Sequence, residues 1–206
     1  MKTQIQTRKQ IRNYLKEHSD AILNINLDEN VFKDIIDLFV HQRNHGGKII
    51  TTGMGKAGIV MRKFSSMLCS LGFPSMYLHP GEASHGDMGL LTANDILFVA
   101  STSGKTREIL EIIDLAKDNI KTIIGITSHL DSPIKRKAQY VIDMGLIKES
   151  GHLNIAPTTS MVIMMIITDC IAMMAAKQVN LTIEEYGKYH HGGYLGQIAR
   201  SVVPKF

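Results

Sequence analysis

The chain has 206 residues, 44% of them apolar, with 17 Gly and 5 Pro; it is long enough to bury one sizeable core, which excludes disordered, collagen-like and low-complexity classes. Its 23 basic and 19 acidic side chains leave a formal charge of +4. They are scattered: the densest run, Lys135-Arg136-Lys137, makes no continuous stripe for a nucleic-acid backbone, and Trp is absent.

The N-terminus, Met1-Lys2-Thr3-Gln4, lacks the apolar core of a signal peptide. The longest apolar stretch, 161–176, is interrupted by Thr168 and Asp169 and reads as short for a bilayer. The two cysteines, Cys69 and Cys170, lie in apolar helical contexts without metal or redox spacing, so both read as buried thiols of a reducing compartment. The expectation is a soluble, cytoplasmic protein with no membrane and no nucleic-acid partner.

In chain order, the first 45 residues show helical spacing of apolar positions, broken near 24–26, with Asn26 or Asp28 as candidate cap of the second helix. His45-Gly46-Gly47 ends that helix. A strand over 48–52 precedes a helix over roughly 56–71. A strand over 75–79 leads into an irregular Gly/His-rich segment. A strand over 95–100 precedes a helix over 106–117, and a strand over 122–127 a short helix near 132–138. A fifth strand covers 140–144, a long apolar helix 158–177, and a last helical segment 182–188. Short apolar strands alternating with helices predict an α/β fold: a three-layer αβα sandwich around a five-stranded parallel sheet. Its ligands belong in the loops after the strands.

The loop Ser101-Thr102-Ser103-Gly104-Lys105-Thr106 lies between a strand and a helix. A single N-cap needs one hydroxyl; several hydroxyls with a Gly at a helix N-terminus point to a bound phosphate. It is not a Walker loop, because Val99 stands where that motif needs its first Gly. Gly53-Met54-Gly55-Lys56-Ala57-Gly58 spells a dinucleotide fingerprint, but the second strand ends Tyr77-Leu78-His79-Pro80 with no ribose-binding acid, so NAD binding is a minor alternative. The segment from His79 to Asp87 gathers two His and two acids, a weak metal pattern through His79 and His85 and a better pocket-lining loop. His190-His191-Gly192-Gly193 is a second turn carrying imidazoles.

Five ordered blocks then stand together: Gly53-Met54-Gly55-Lys56 with Gly58; His79-Pro80-Gly81-Glu82-Ala83 with His85-Gly86-Asp87; Ser101-x-Ser103-Gly104 with Glu108; Ala156-Pro157-Thr158-Thr159-Ser160; and His190 before Gly192-Gly193 and Leu195-Gly196. They resemble the sugar isomerase (SIS) domain and, within it, the arabinose-5-phosphate isomerase family. The resemblance implies one SIS domain over 1–206, with helices of 1–45 packing on an α/β core of 46–206. It implies interconversion of D-arabinose 5-phosphate and D-ribulose 5-phosphate through an enediol, feeding Kdo synthesis for lipopolysaccharide or capsule. No cofactor and no required metal are implied. Longer family members carry a CBS pair, so regulation through CBS domains is expected to be absent, and CMP-Kdo is a candidate feedback ligand.

By the same resemblance Lys56, Glu108, Glu149 and His190 are the catalytic set. Glu149 would shuttle the proton between C1 and C2, His190 open the ring, Lys56 stabilise negative charge, and Glu108 orient a neighbour or a sugar hydroxyl. Gly55, Ser101, Thr102, Ser103, Gly104, Thr106, His79, His85 and His191 would bind the substrate, His85 matching a position tied to inhibitory metal. Read without the family, Glu149 is a solvated loop acid beside Lys148, Glu108 a helix-dipole partner and Lys56 a surface lysine. The chain departs from the family at Ile59, commonly His, at Lys105, often an acid, and at His191, usually Pro, which leaves either imidazole as the working one. A homotetramer with sites shared between protomers is expected. The competing readings are isomerisation of another sugar phosphate and a non-catalytic sugar-phosphate sensor.

Overall fold

The computed structural model describes residues 2–202, with side chains from 6 to 201; Met1 and 203–206, the ends of the expected domain, lie outside the described residues. Helices α1 (Lys2–Leu23) and α2 (Glu29–His45) precede β1 (Ile49–Gly53) and α3 (Gly55–Ser70). Then come β2 (Ser75–Tyr77), α4 (Pro80–Ala83), a 3-10 turn, β3 (Ile96–Ala100), α5 (Arg107–Ala116), β4 (Thr122–Thr127), α6 (Pro133–Lys137) and β5 (Tyr140–Asp143). Three helices close the described chain: α7 (Thr159–Gln178), α8 (Ile183–Tyr189) and α9 (Gly193–Val202). Asp28, rather than Asn26, caps α2, its carboxylate accepting from the N–H groups of Asn30 and Val31.

The sheet is all parallel, in the order β2-β1-β3-β4-β5. Strand alternation sends Ile49, Ile96, Phe98, Ile124 and Ile126 to one face, where α2, α3 and α7 cover them. It sends Ile50, Leu97, Val99 and Ile123 to the other, covered by α5 and α6. On the first face Phe64 and Phe98 meet edge-on at 5.3 Å between ring centroids, with Phe39 beside both. The expected three layers are therefore present, and α1 packs outside them on α7.

Several expectations change. The second strand stops at Tyr77, and His79 begins the one-turn helix α4 by accepting from the Gly81 N–H. Helix α9 was not expected after the Gly pair, yet Gly193 at φ 73° turns the chain into it, and its Ala199 packs on Gly187 of α8. Helix α7 runs 20 residues, long and apolar enough to cross a bilayer by length and composition; here it fills the core, with Ile163, Ile167 and Ile171 buried. Neither cysteine is a buried thiol: Cys69 and Cys170 are both exposed. Cys69 stands at the end of α3 beside the sheet edge, its thiol donating to the Ser75 carbonyl of β2, and Cys170 lies on a side of α7 that no described element covers; a helix apolar all round, as α7 is, hides that distinction.

One buried carboxylate ties the entries of the two central strands. Asp95 accepts from the backbone N–H of Lys48 at 2.7 Å and of Thr92 at 2.8 Å, and pairs with the Lys48 ammonium at 2.9 Å. Burial pushes its pKa up, but these bonds outweigh burial and hold it below its ordinary value. Since the folded value is depressed, the stabilisation is complete above the ordinary carboxylate range and is lost as pH falls through the folded pKa. Asp95→Ala should cost about 3 kcal/mol in urea unfolding at neutral pH, and the gap from wild type should narrow as the acid limit is approached; equal midpoints at pH 7 would refute the role.

Candidate active site

The chain leaves β1 toward β2 on one side and returns to β3 on the other, so the strand order switches between β1 and β3. Parallel sheets bind ligands at the C-terminal edge of that switch. A groove of about 260 Å³ lies there, lined by Met54, Lys56 and Ala57 after β1, by Ala100, Ser101, Thr102, Ser103 and Thr106 after β3, and by Pro157 and Met161 from the start of α7. The structure thus brings together Lys56 and four of the hydroxyl residues singled out in sequence.

The glycines of the first block serve packing as well as access. A Cβ on Gly58 would stand 2.3 Å from the Gly53 carbonyl oxygen and 2.6 Å from the Tyr77 hydroxyl. That hydroxyl donates to the same carbonyl at 2.8 Å, so a tyrosine packs where a dinucleotide fold would offer its acid. Gly55, at φ 59°, starts α3 in the left-handed region and leaves Lys56 exposed on its first turn.

The hydroxyl loop satisfies itself. Ser101 Oγ lies 2.7 Å from Thr106 Oγ1 and accepts from the Gly104 N–H at 3.1 Å; Ser103 Oγ accepts from the Lys105 N–H at 3.2 Å. These are the donors a phosphate would take over at the N-terminus of α5. The loop is pinned from below through the Thr102 carbonyl, which accepts from the Ser128 N–H at 2.9 Å and the Thr127 hydroxyl at 3.1 Å, with His129 Nδ1 also at 3.1 Å. Sequence reading missed this support. Its signal was a second polar loop, Ser128 to Ser132, directly after β4.

Glu149 is not a solvated loop acid. Its Oε2 accepts from the Thr158 N–H at 2.8 Å, the Thr158 hydroxyl at 3.1 Å and the Ser160 N–H at 3.2 Å, and its Oε1 accepts from the Ser160 hydroxyl. Burial pushes its pKa up, yet the donors of Ser160 and Thr158 prevail and hold it below its ordinary value. Glu149 lines a second groove of about 370 Å³ with Lys148, Glu17 and Ile163; its partners Thr158 and Ser160 stand in the chain between Pro157 and Met161, which line the anion groove. The residues that hold it, Thr158 and Ser160, lie in the fourth sequence block, where no local pattern marks them as donors to a carboxylate.

Glu108 lies half-buried in the first turn of α5, with no hydrogen bond or ion pair among the described residues. His79 is occupied as the cap of α4, and His85 is exposed. Among the described residues no three His, Cys, Asp or Glu side chains are placed to hold a metal. His190 is remote: α8 ends beside the far end of α3, where a Cβ on Gly72 would touch the Tyr189 ring at 2.9 Å. Lys56 stands at the opposite end of that 16-residue helix, about 24 Å along its axis. His190 Nδ1 lies 2.9 Å from the Tyr186 carbonyl, which only accepts, so Nδ1 is the donor of this bond and Nε2 is the ring nitrogen left for other partners. The ring stacks on Tyr186 at 4.0 Å, whereas His191 is exposed.

Residues 43–174 match the SIS domain family. Over 189 residues the chain is 36% identical to the arabinose 5-phosphate isomerase KpsF of Escherichia coli, an alignment covering 91% of this chain and 57% of that one. Over 151 residues it is 37% identical to the arabinose 5-phosphate isomerase KdsD of Pseudomonas aeruginosa, covering 73% and 46%. The chain thus spans about half the length of the curated relatives it matches. A solved Bacteroides fragilis protein, assigned as a phosphosugar isomerase involved in capsule formation, superposes with a TM-score of 0.87 at 39% identity, over 91% of this chain and 99% of that one.

Gly104 has φ 63°, and a Cβ there would stand 2.1 Å from the buried Ser132 hydroxyl oxygen. Gly104→Ala should therefore weaken inorganic phosphate binding about tenfold in calorimetric titration, from left-handed strain of about 1–2 kcal/mol together with the clash. An unchanged affinity would place the anion elsewhere.

Proposed function

The chain belongs to the SIS domain family, and on that premise we propose that it is an aldose–ketose isomerase interconverting D-arabinose 5-phosphate and D-ribulose 5-phosphate. The observation that carries the reading is the adjacency at the α7 N-terminus of a hydroxyl-lined anion groove and a carboxylate held ready for proton transfer. Support also comes from the two relatives named as arabinose 5-phosphate isomerases.

In this mechanism the phosphate sits on the loop of Ser101, Thr102, Ser103, Gly104 and Thr106 beside Gly55, and the sugar chain extends over the start of α7 toward Glu149. Three of the four bonds to the Glu149 carboxylate fall on Oε2, which leaves Oε1 the less engaged atom. Glu149 takes the proton from C2 of the aldose and returns it to C1, through an enediolate. A depressed pKa keeps it ionised at neutral pH. Lys56 neutralises charge on the phosphate and the enediolate oxygens. Glu108 orients a sugar hydroxyl from the first turn of α5. His79 and His85 border the sugar, and His191 joins it with His190 from another protomer.

Ring opening falls to His190, whose Nε2 takes the proton of the C1 hydroxyl and hands it to the ring oxygen as the bond between C1 and that oxygen breaks. The distance of His190 from Lys56 within one chain supports a reading in which it serves the site of another protomer, in a homotetramer with shared sites. That assembly is supported by large side chains left in the open, among them Ile59 at 68%, Leu146 at 85%, Ile155 at 77% and Tyr194 at 74% exposure. We extend the proposal to a single SIS domain over 1–206 acting in the cytoplasm, to supply of Kdo for lipopolysaccharide or capsule, and to CMP-Kdo as a feedback ligand in the same pocket.

In D₂O, wild-type protein should convert D-arabinose 5-phosphate with deuterium appearing at C2 of the aldose, and Glu149→Gln should lose both conversion and exchange; saturable binding without exchange would favour the sensor reading. Ser160→Ala removes one donor from Glu149, so the acid limb of the kcat profile should move up toward the ordinary carboxylate value. Mixing inactive Glu149→Gln and His190→Ala proteins should restore activity; no recovery after subunit exchange would refute shared sites.

A further inference from the structure

The segment that carries Glu149, between β5 and α7, contains no helix and no strand. Its own bonds reach the start of α7: the Ser150 N–H donates to the hydroxyl oxygens of Thr158 at 2.9 Å and Thr159 at 3.2 Å. A second hold comes from α1, which lies outside the sheet. The Ser150 hydroxyl donates to the Glu17 carboxylate, and His18 Nδ1 lies 3.1 Å from the Thr159 hydroxyl. Two adjacent residues of α1 thus grip both ends of one loop: the residue after Glu149 and the first residue of α7. Ala21 and Ile22, one turn on, pack against the core and fix the height of α1 over the loop.

We infer that Glu17 and His18 are positioning residues for Glu149, making α1 a clamp on the loop that carries the proton-transferring carboxylate. This rests on the reading of Glu149 as the base. A general base must lie within hydrogen-bond reach of the carbon-bound proton, and misplacement by about 1 Å costs on the order of 100-fold in rate. Nothing else among the described residues outside the loop and α7 bonds to the Ser150 side chain. Without Glu17 the Ser150 hydroxyl turns to water, the turn after Glu149 gains freedom, and the bonds from Thr158 and Ser160 are made for a smaller fraction of the time. The Glu149 pKa then returns toward its ordinary value, because those same bonds depress it.

The test compares Glu17→Ala, Glu17→Gln, Ser150→Ala and the Glu17→Ala/Ser150→Ala double variant in the full chain. With D-arabinose 5-phosphate, Glu17→Ala should lower kcat about 10- to 100-fold with KM within about threefold, and should raise the acid limb of the kcat profile. Glu17→Gln keeps an acceptor for Ser150 and should recover most of the rate. The double variant should be no slower than the slower single variant, since both remove one contact. Amide hydrogen exchange over 145–157, read in the same proteins, should quicken in Glu17→Ala and Ser150→Ala while the sheet is unchanged. Unchanged loop exchange would overturn the clamp, and faster loop exchange with an unaltered kcat and pH profile would overturn the positioning role. Ser150→Ala breaks the contact from the other side should Glu17→Ala fail to fold. A wild type that neither converts nor exchanges the sugar phosphate would defeat the isomerase reading and the catalytic half of this inference, while loop exchange alone still decides the clamp.

Discussion

The N-terminus of α7 needs partners for its first N–H groups, and Thr158, the residue that precedes it, caps none of them with its own side chain. The carboxylate of Glu149, nine positions upstream, does so instead, accepting from Thr158 and Ser160. This long-range cap folds the β5–α7 loop back on itself and sets where the carboxylate points. It also fixes where α7 begins, and α7 is the helix on which α1, α2 and α3 all pack. A negative charge at a helix N-terminus is favoured by the aligned peptide dipoles as well as by the hydrogen bonds. The same arrangement that ends a helix properly therefore keeps an acid ionised in a partly buried place.

The second constraint is the close approach of α3 to β1. Gly53 and Gly58 let the helix start almost in contact with the strand it follows, and Tyr77 from β2 closes the gap with a hydroxyl. That places Lys56 over the switch point, across from the hydroxyl loop that follows β3. Each half of the anion groove thus comes from a loop after a central strand. The pairing of Gly53 with Ala100 brings those strand ends level. The Asp95 tie at the opposite edge of the sheet holds the two strand entries in the same register.

How far the site was legible in sequence can be argued residue by residue. Ser101, Ser103 and Thr106 announced themselves, because three hydroxyls around a Gly between a strand and a helix exceed what capping requires. Lys56 and Glu149 did not, since a first-turn lysine and a loop acid are ordinary surface features and only the family resemblance raised them. The donors that hold Glu149 were invisible as such: their role needs the loop to return, and no local pattern encodes that. Glu17 is harder still, lying 133 positions from Ser150 in the chain. The histidines show the opposite failure, since sequence could not separate His190 from His191. Tertiary structure gives them different surroundings: His190 is held by the Tyr186 carbonyl and ring, whereas His191 is exposed.

What the sequence by itself determined was the layer order: short apolar strands of five or six residues between helices leave a covered parallel sheet as the way to bury both faces. It also marked the loops where ligand chemistry belongs. Strand order, and with it the switch point between β1 and β3, was decided only by tertiary structure, because alternation along the chain does not say which strands become neighbours. Which face of α3 and α7 turns inward was likewise a tertiary decision, and it left Cys69 and Cys170 exposed against expectation. An all-round apolar helix such as α7 carries no periodic signal to choose its buried side, so the sheet and the packed helices around it had to choose.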